Sequence, residues 1–334
     1  MATYKVNKGT PVAFRDGAYP TTYPSPHEGE LFYNSNTGAF QFLGVAVAAW
    51  STGGALNTGR QQVGGSGDTP ASLAFGGVAP ARKNETETYN GTAWTEVNNL
   101  NTARSMGGCA GQSQTAALGF AGNSADANKE VKAESWNGTS WTEVGDLSTG
   151  RNSTNGAGSS TSALCVSGST GDPSTDTANV ESWDGSSWTE IANVNVARRT
   201  GGTGGVSNSS VIYSGGINTG VINNTEVWNG TAWTEVNNLT TARTGNSGFG
   251  TVTSALVGGG ENAVSAFVAL TEVWDGTSWA EGDDYNTAGD ARTSGSGSSG
   301  NSGLAAGGRV SGNNGFTGTE EWLNAHPLKT IDVS

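Results

Sequence analysis

The sequence predicts an all-β chain folded as a six-bladed β-propeller, and three observations carry that reading. The first is a cassette, clearest as Glu-Ser-Trp-Asn-Gly-Thr-Ser-Trp-Thr-Glu, that recurs through most of the 334 residues. Its second tryptophan falls at Trp94, Trp141, Trp188, Trp233 and Trp279, so the period is 47, 47, 45 and 46 residues. The second is an arginine ten residues after the tryptophan: Arg104, Arg151, Arg198 and Arg243 follow the first four in this way, and Arg60 follows Trp50. The third is composition, because 53 glycines with abundant Ser, Thr and Asn make a chain rich in turns and poor in helix formers. A period of this length, anchored on tryptophan hairpins, is that of propeller blades and not of helical repeats.

One copy, Arg104 to Val144, shows how a blade is written. Arg-Ser-Met-Gly-Gly-Cys-Ala-Gly, Thr-Ala-Ala-Leu-Gly-Phe-Ala-Gly, Val-Lys-Ala-Glu-Ser-Trp and Trp-Thr-Glu-Val are four short strands, named A to D from here on. Strand A is rich in glycine in every copy, which suits innermost strands crowded around an axis and is a packing feature, not a phosphate loop. An aromatic ends strand C five residues before each second tryptophan: Tyr89, Trp136, Trp183, Trp228 and Trp274. These rings flank the C–D turn at fixed strand positions and are therefore expected in the core, not as stacking platforms for sugars. Asn137-Gly138 between strands C and D predicts a type I′ turn, whose two central residues both need positive φ. The same dipeptide class recurs at Asn90-Gly91, Asp184-Gly185, Asn229-Gly230 and Asp275-Gly276.

The small-residue run ending in Gly-Gly, the acidic residue two before an aromatic, the tryptophan and the arginine opening the next copy together resemble the kelch repeat. The resemblance spans residues 45–322 and implies a kelch-like propeller. Six copies open at Arg60, Arg104, Arg151, Arg198, Arg243 and Arg292; the last follows Trp279 at thirteen, which reads as an insertion in that loop. The sixth copy stops after its third strand, Thr319 to Trp322. Because Trp50 precedes Arg60 by ten, as every second tryptophan precedes its arginine, Val45 to Trp50 is expected to supply the missing strand, close the ring and remove an exposed edge. The chain thus divides into an N-terminal hairpin segment (1–44), the propeller (45–322) and a C-terminal tail (323–334).

The repeated charges read as structure. Glu87, Glu134, Glu181, Glu226, Glu272 and Glu320 each stand two before the strand C aromatic and share its face, so six arginine–glutamate pairs are expected. A catalytic carboxylate pair needs two unlike environments, which sixfold repetition opposes. Glu96, Glu143, Glu190, Glu235 and Glu281 on strand D read as a solvated rim. Ser182 to Trp188 is similar to the Asp-box of sialidases but lacks one residue between Asp and Gly. His27 and His326 are the two histidines and neither lies in a ligand-spaced cluster. Cys109 and Cys165 stand at non-equivalent positions of different repeats, as small buried side chains do. No catalytic, cofactor-binding or metal-binding residues are assigned, and a non-enzyme is expected.

Composition narrows the partners. The formal net charge is −13 and the pI about 4.5, a balance that repels nucleic acid and anionic lipid. The longest apolar stretch, Phe42 to Trp50, falls far short of the roughly 20 residues of a membrane helix, so neither nucleic-acid binding nor membrane insertion is expected. In a four-stranded blade the B–C and D–A connections share one face. The B–C loops differ in every copy (78–84, 123–129, 169–178, 217–223, 261–268 and 309–317), and variable loops on a rigid frame are where binding is usually placed. Arg82, Lys83, Lys129, Phe267, Arg309 and Phe316 are the candidate contact residues there.

Residues 1–44 lack the repeat. Leu31 to Tyr33 and Phe40 to Leu43 flank an Asn-Ser-Asn-Thr-Gly turn and predict a hairpin, which is marginal alone and makes Phe32, Tyr33, Phe40 and Phe42 candidates for docking. The string Pro-Ser-Pro-His-Glu-Gly-Glu-Leu-Phe-Tyr-Asn-Ser-Asn-Thr-Gly-Ala-Phe resembles a short element of tail-fibre and other virion proteins of tailed bacteriophages. Trp50 to Arg60 resembles the start of propeller regions in marine, cyanophage-like virion proteins. These resemblances imply a virion structural protein, made in a bacterial cytoplasm (the first residues lack a signal-peptide apolar run) and assembled there through residues 1–44 with other virion proteins or further copies of itself. A host receptor or glycan is the partner implied for the propeller. The alternative readings are an adhesin whose principal role is host binding and, behind it, a polysaccharide-degrading enzyme.

Overall fold

The computed structural model describes residues 13–15, 31–34, 39–43, 47–125, 127–171, 175–290, 300–325 and 328–331, and no helix occurs among them. Two compact units result, Ala49–Trp322 and the pair of segments Met1–Ala48 and Leu323–Ser334.

The first unit is a six-bladed propeller. Blade one consists of strands Gly64–Asp68, Ala71–Phe75, Thr86–Tyr89 and Trp94–Val97, hydrogen-bonded in that order as an antiparallel sheet. Blades two to five repeat this order, beginning at Gly108, Asn155, Gly202 and Ser247. In blade six, strands Ser302–Ala306 and Thr319–Ala325 are followed in the sheet by Val47–Gly53, so an N-terminal strand supplies strand D as expected. The 291–299 stretch, with Arg292, lies outside the described residues, as do His27 and His326.

Glycine in strand A is a matter of approach distance. A Cβ on Gly156 would stand 2.2 Å from the carbonyl oxygen of Cys109 in the preceding blade, and one on Gly248 would stand 2.5 Å from the Thr203 nitrogen. Neighbouring A strands therefore touch backbone to backbone, which a side chain would prevent. Farther out the core lies between blades. Leu73 and Phe75 of blade one pack with Cys109, Ala117, Trp136 and Trp141 of blade two, and Phe120 meets the Trp188 ring of the next blade at 4.8 Å. Both aromatics of each cassette are buried, from Trp322 at 0% exposed to Trp188 and Trp279 at 7%, so they are core and not sugar platforms. Their rings lie against each other within the blade, 5.3 to 5.5 Å apart in blades two to five.

The C–D turn differs from the type I′ expectation. Trp136 pairs with Trp141, leaving a loop of four residues. The Asn137 side-chain oxygen accepts from the backbone N–H of Thr139 and of Ser140, both at 2.9 Å, and only the glycine, Gly138 at φ 91°, is left-handed. The asparagine is therefore a side-chain cap on the loop. Asp184 does the same in blade three, where bonds from the Ser186 hydroxyl and from backbone N–H groups hold its carboxyl down at about 2.

The last junction keeps the backbone register of the others. In the other junctions a glycine N–H after strand B donates to the arginine carbonyl, as Gly216 does to Arg243 at 2.8 Å; in the last junction Gly260 donates to Gly289 at 2.8 Å. Gly289 is ten residues after Trp279 and so holds the register of the repeat arginines. The backbone register of the repeat is thus kept at Gly289, while Arg292 lies outside the described residues.

In the second unit, Leu31–Asn34 and Ala39–Leu43 form the expected hairpin, Tyr33 opposite Phe40 and Leu31 opposite Phe42. Ala13–Arg15 adds in parallel on one side and Leu328–Ile331 in antiparallel on the other, giving four strands in place of a lone hairpin.

Candidate functional site

The repeated residues are consumed by the frame. Arg60, Arg151, Arg198 and Arg243 are paired with Glu87, Glu181, Glu226 and Glu272, and Arg104 is 2.6 Å from Glu134; all ten side chains are buried. Each glutamate also accepts backbone N–H groups from the D–A connection entering its blade. Glu134, for example, takes the N–H of Asn101 at 2.7 Å and of Thr102 at 3.2 Å. In blade six, Glu320 makes the same contacts to Asn286 and Thr287. The carboxylates thus tie each strand C to the connection from the preceding blade, the structural role read from their sixfold repetition. The strand D carboxylates Glu96, Glu143, Glu190, Glu235 and Glu281 are exposed.

What remains unrepeated gathers at the face formed by the B–C and D–A connections. Bridges between these connections, such as Gln61 with Val78, Arg199 with Ile217 and Asp290 with Arg309, hold them side by side. At their centre an axial cavity of about 330 Å³ opens, within the range of small-ligand pockets. Its mouth is a ring of equivalent residues in the left-handed region: Gln62 at φ 57°, Met106 at 57°, Ser153 at 52°, Thr200 at 55° and Gly245 at 67°. Backbone bonds run from blade to blade through this ring, Ser153 N–H to Met106 at 2.8 Å, Thr200 to Ser153 at 3.1 Å and Gly245 to Thr200 at 2.7 Å. Those bonds offset the strain of left-handed non-glycine residues. Glycine at the fifth position accommodates Asp290, whose carboxylate would lie 3.1 Å from a Cβ there.

Beside the mouth, Arg309 grips Asp290 with two bonds, 3.0 Å from Nε and 2.6 Å from Nη2, and reaches Glu261 at 2.8 Å. Burial pushes the Asp290 carboxyl up, while the Asp290 hydrogen bonds raise Arg309. Phe267 lies under this guanidinium, 5.0 Å from its centre. The expected contact residues therefore separate into groups. Arg309 and Phe267 come together across blades five and six. Phe316 is half-buried over Gly318 of its own blade. Lys83 pairs with Glu85 at 3.1 Å, while Arg82 and Lys129 are half-buried and have no ion-pair partner among the described residues. Sequence reasoning missed Asp290 and Glu261, although both are legible departures from the repeat: Asp290 stands where other junctions carry Gln61, Asn152 or Thr244, and Glu261 where they carry Val78, Ser169 or Ile217.

The charge distribution singles out the same face. Apart from the five buried repeat arginines, the lysines and arginines of the described propeller are Arg82, Lys83, Lys129, Lys132, Arg199 and Arg309. All six lie in B–C or D–A connections. Among the described residues no group of His, Cys, Asp and Glu is placed to hold a metal ion, and no helix is long and apolar enough to cross a membrane. No family model matches the chain, and no curated protein matches it.

Proposed function

We propose that this chain is a non-enzymatic virion structural protein whose propeller head contacts a partner, at the host surface or within the particle, through the B–C loop face. The carrying observation is the division of labour among residues. Repeated charges and indoles are spent on holding blades together, whereas unlike loops and the remaining cations collect on one face of a rigid frame. The buried carboxylates are each bonded into the frame, which supports a reading without catalytic chemistry. The phage-like string in residues 24–40 supports attachment to other virion proteins through the N-terminal segment, whose hairpin carries Phe32, Tyr33, Phe40 and Phe42. Antibody labelling of intact particles tests the location, and labelling confined to the host cytoplasm would overturn it. Binding of the purified chain to host cells, compared with binding to particles lacking it, decides which partner the loop face takes.

A further inference from the structure

Between the B–C loops of blades one and two runs a groove of about 530 Å³, lined on one side by Gln62 and the Val78–Arg82 turn and on the other by Ser105, Asn123 and Ala125. Arg82 is its one charged lining residue among those described. The turn that carries it is fixed by a bridge from Val78 to Arg82 and by the Ala79 N–H donating to Ala81 at 3.0 Å. Yet among the described residues no carboxylate pairs with the guanidinium, and its Nε N–H is buried without an acceptor. On the same face Lys83, Lys132, Arg199 and Arg309 each have an acidic partner. The Nε of Arg60, Arg104 and Arg198 is buried without an acceptor as well, but each of those guanidinium groups is paired with a glutamate. Arg82 has no such partner among the described residues, and a partly buried cation left without one favours an anion from elsewhere.

We propose that this groove binds an anionic group, a carboxylate or a phosphate, carried on a surface polysaccharide. The proposal rests on the loop-face reading above and adds the chemistry of the partner. A guanidinium presents paired N–H donors that match both oxyanions. Gln62, whose side-chain amide makes no hydrogen bond within the described chain, stands beside it as a neutral donor and acceptor for hydroxyls. Val78, Pro80, Ala81 and Ala103 offer a wall of small apolar surface to the C–H face of a sugar ring. A polyacidic peptide fits less well, because Glu85, Glu130, Asp176, Glu261 and Asp290 lie on the same face and would repel a run of carboxylates. A polymer with isolated acidic groups meets Arg82 without meeting them.

Ligand-observed saturation-transfer NMR on the full chain tests this with galacturonic acid, glucose 6-phosphate, galactose and glucose as probes. Galacturonic acid, glucose 6-phosphate or both should give a signal that the two neutral sugars do not give at equal concentration, and which acid responds identifies the anion. Arg82→Gln should weaken that binding at least tenfold with an unchanged melting temperature, and Arg82→Lys should retain part of it. Neutral sugars responding as strongly as the acids, an unchanged signal in Arg82→Gln, or a response to inorganic phosphate with none to either sugar acid would overturn the proposal. Acid binding lost in Arg82→Gln while attachment to host cells is unaffected would leave the anion site standing and sink the host-contact reading instead.

Discussion

The indole of Trp188 is buried with no partner for its N–H, and the corresponding residues of the other blades explain why. Trp94, Trp141, Trp279 and Trp50 each donate to a threonine at the start of strand C in the preceding blade: Thr319, Thr86, Thr225 and Thr271, at 2.9 to 3.2 Å. Ahead of Trp188 that position is Ala133, and ahead of Trp233 it is Val180. Trp233 finds the Ala192 carbonyl at 3.1 Å instead. The substitution Ala133→Thr should therefore complete the repeat and raise stability by about 1 kcal/mol in chemical denaturation, the typical net gain of one hydrogen bond. A neutral or destabilised variant would mean that the hydroxyl cannot turn toward the indole in that crowded site.

Among the elements, the strand Val47–Gly53 bears the closure of the ring, and its junction is the place where the repeat is broken. Tyr89 replaces the tryptophan found at its position in blades two to six. Its hydroxyl donates to Glu321 on blade six and accepts the Gly54 N–H at 3.2 Å, just beyond the closing strand. Burial, together with the neighbouring Glu321 carboxylate, pushes the phenol up to about 12. A group whose folded value lies above its unfolded value near 10 contributes stability that is complete below pH 10 and is lost as pH rises toward 12. Tyr89→Phe should be less stable than the parent at pH 8, and the difference should shrink between pH 10 and 12 in parallel denaturation curves. A constant difference across that range would assign the loss to packing alone. The strand itself is tested by truncation: deletion of residues 1–52 should leave strand Thr319–Ala325 with an unpaired edge and give insoluble protein. A chain of residues 45–325, which keeps the closing strand, should give a soluble ring, and solubility of both truncated chains would show that the edge is dispensable.

At the scale of the whole molecule, the propeller separates what holds it together from what it presents. The A–B turns are short and alike, and around the axis at that end Gln112 bridges blades by donating to the Gly158 carbonyl at 2.9 Å. The opposite face carries the unlike loops and the accessible cations, so a chain of net charge −13 nonetheless has a mixed-charge face. Replacing both Phe267→Ser and Phe316→Ser should reduce partner attachment several-fold with little change in melting temperature, since both rings are only half-buried. Loss of binding in proportion to loss of folded protein would show that the rings serve the blades.

Much of this architecture is legible in the sequence because its determinants are local and periodic. The tryptophan spacing, the strand C glutamate and the ten-residue step to the arginine return at every blade, so one copy explains the others, and the same step identifies Trp50 as part of the missing strand. The turn between strands C and D departs from expectation because Asn-Gly suits two loop lengths, and only the Trp136–Trp141 register chooses between them. Gly289 cannot be placed from residue type, because its register comes from backbone bonds with a connection in the preceding blade. The pairing of Leu328–Ile331 with Ala39–Leu43, the Arg309–Asp290–Glu261 cluster and the solitary Arg82 likewise depend on contacts between segments far apart in the chain. Repetition in the sequence determined the ring and its core, because hydrogen-bond ladders and indole packing recur with the same residues. Tertiary structure decided which of the unlike loop residues named from the sequence stand together, because which differences between repeats become neighbours is settled only when the ring closes.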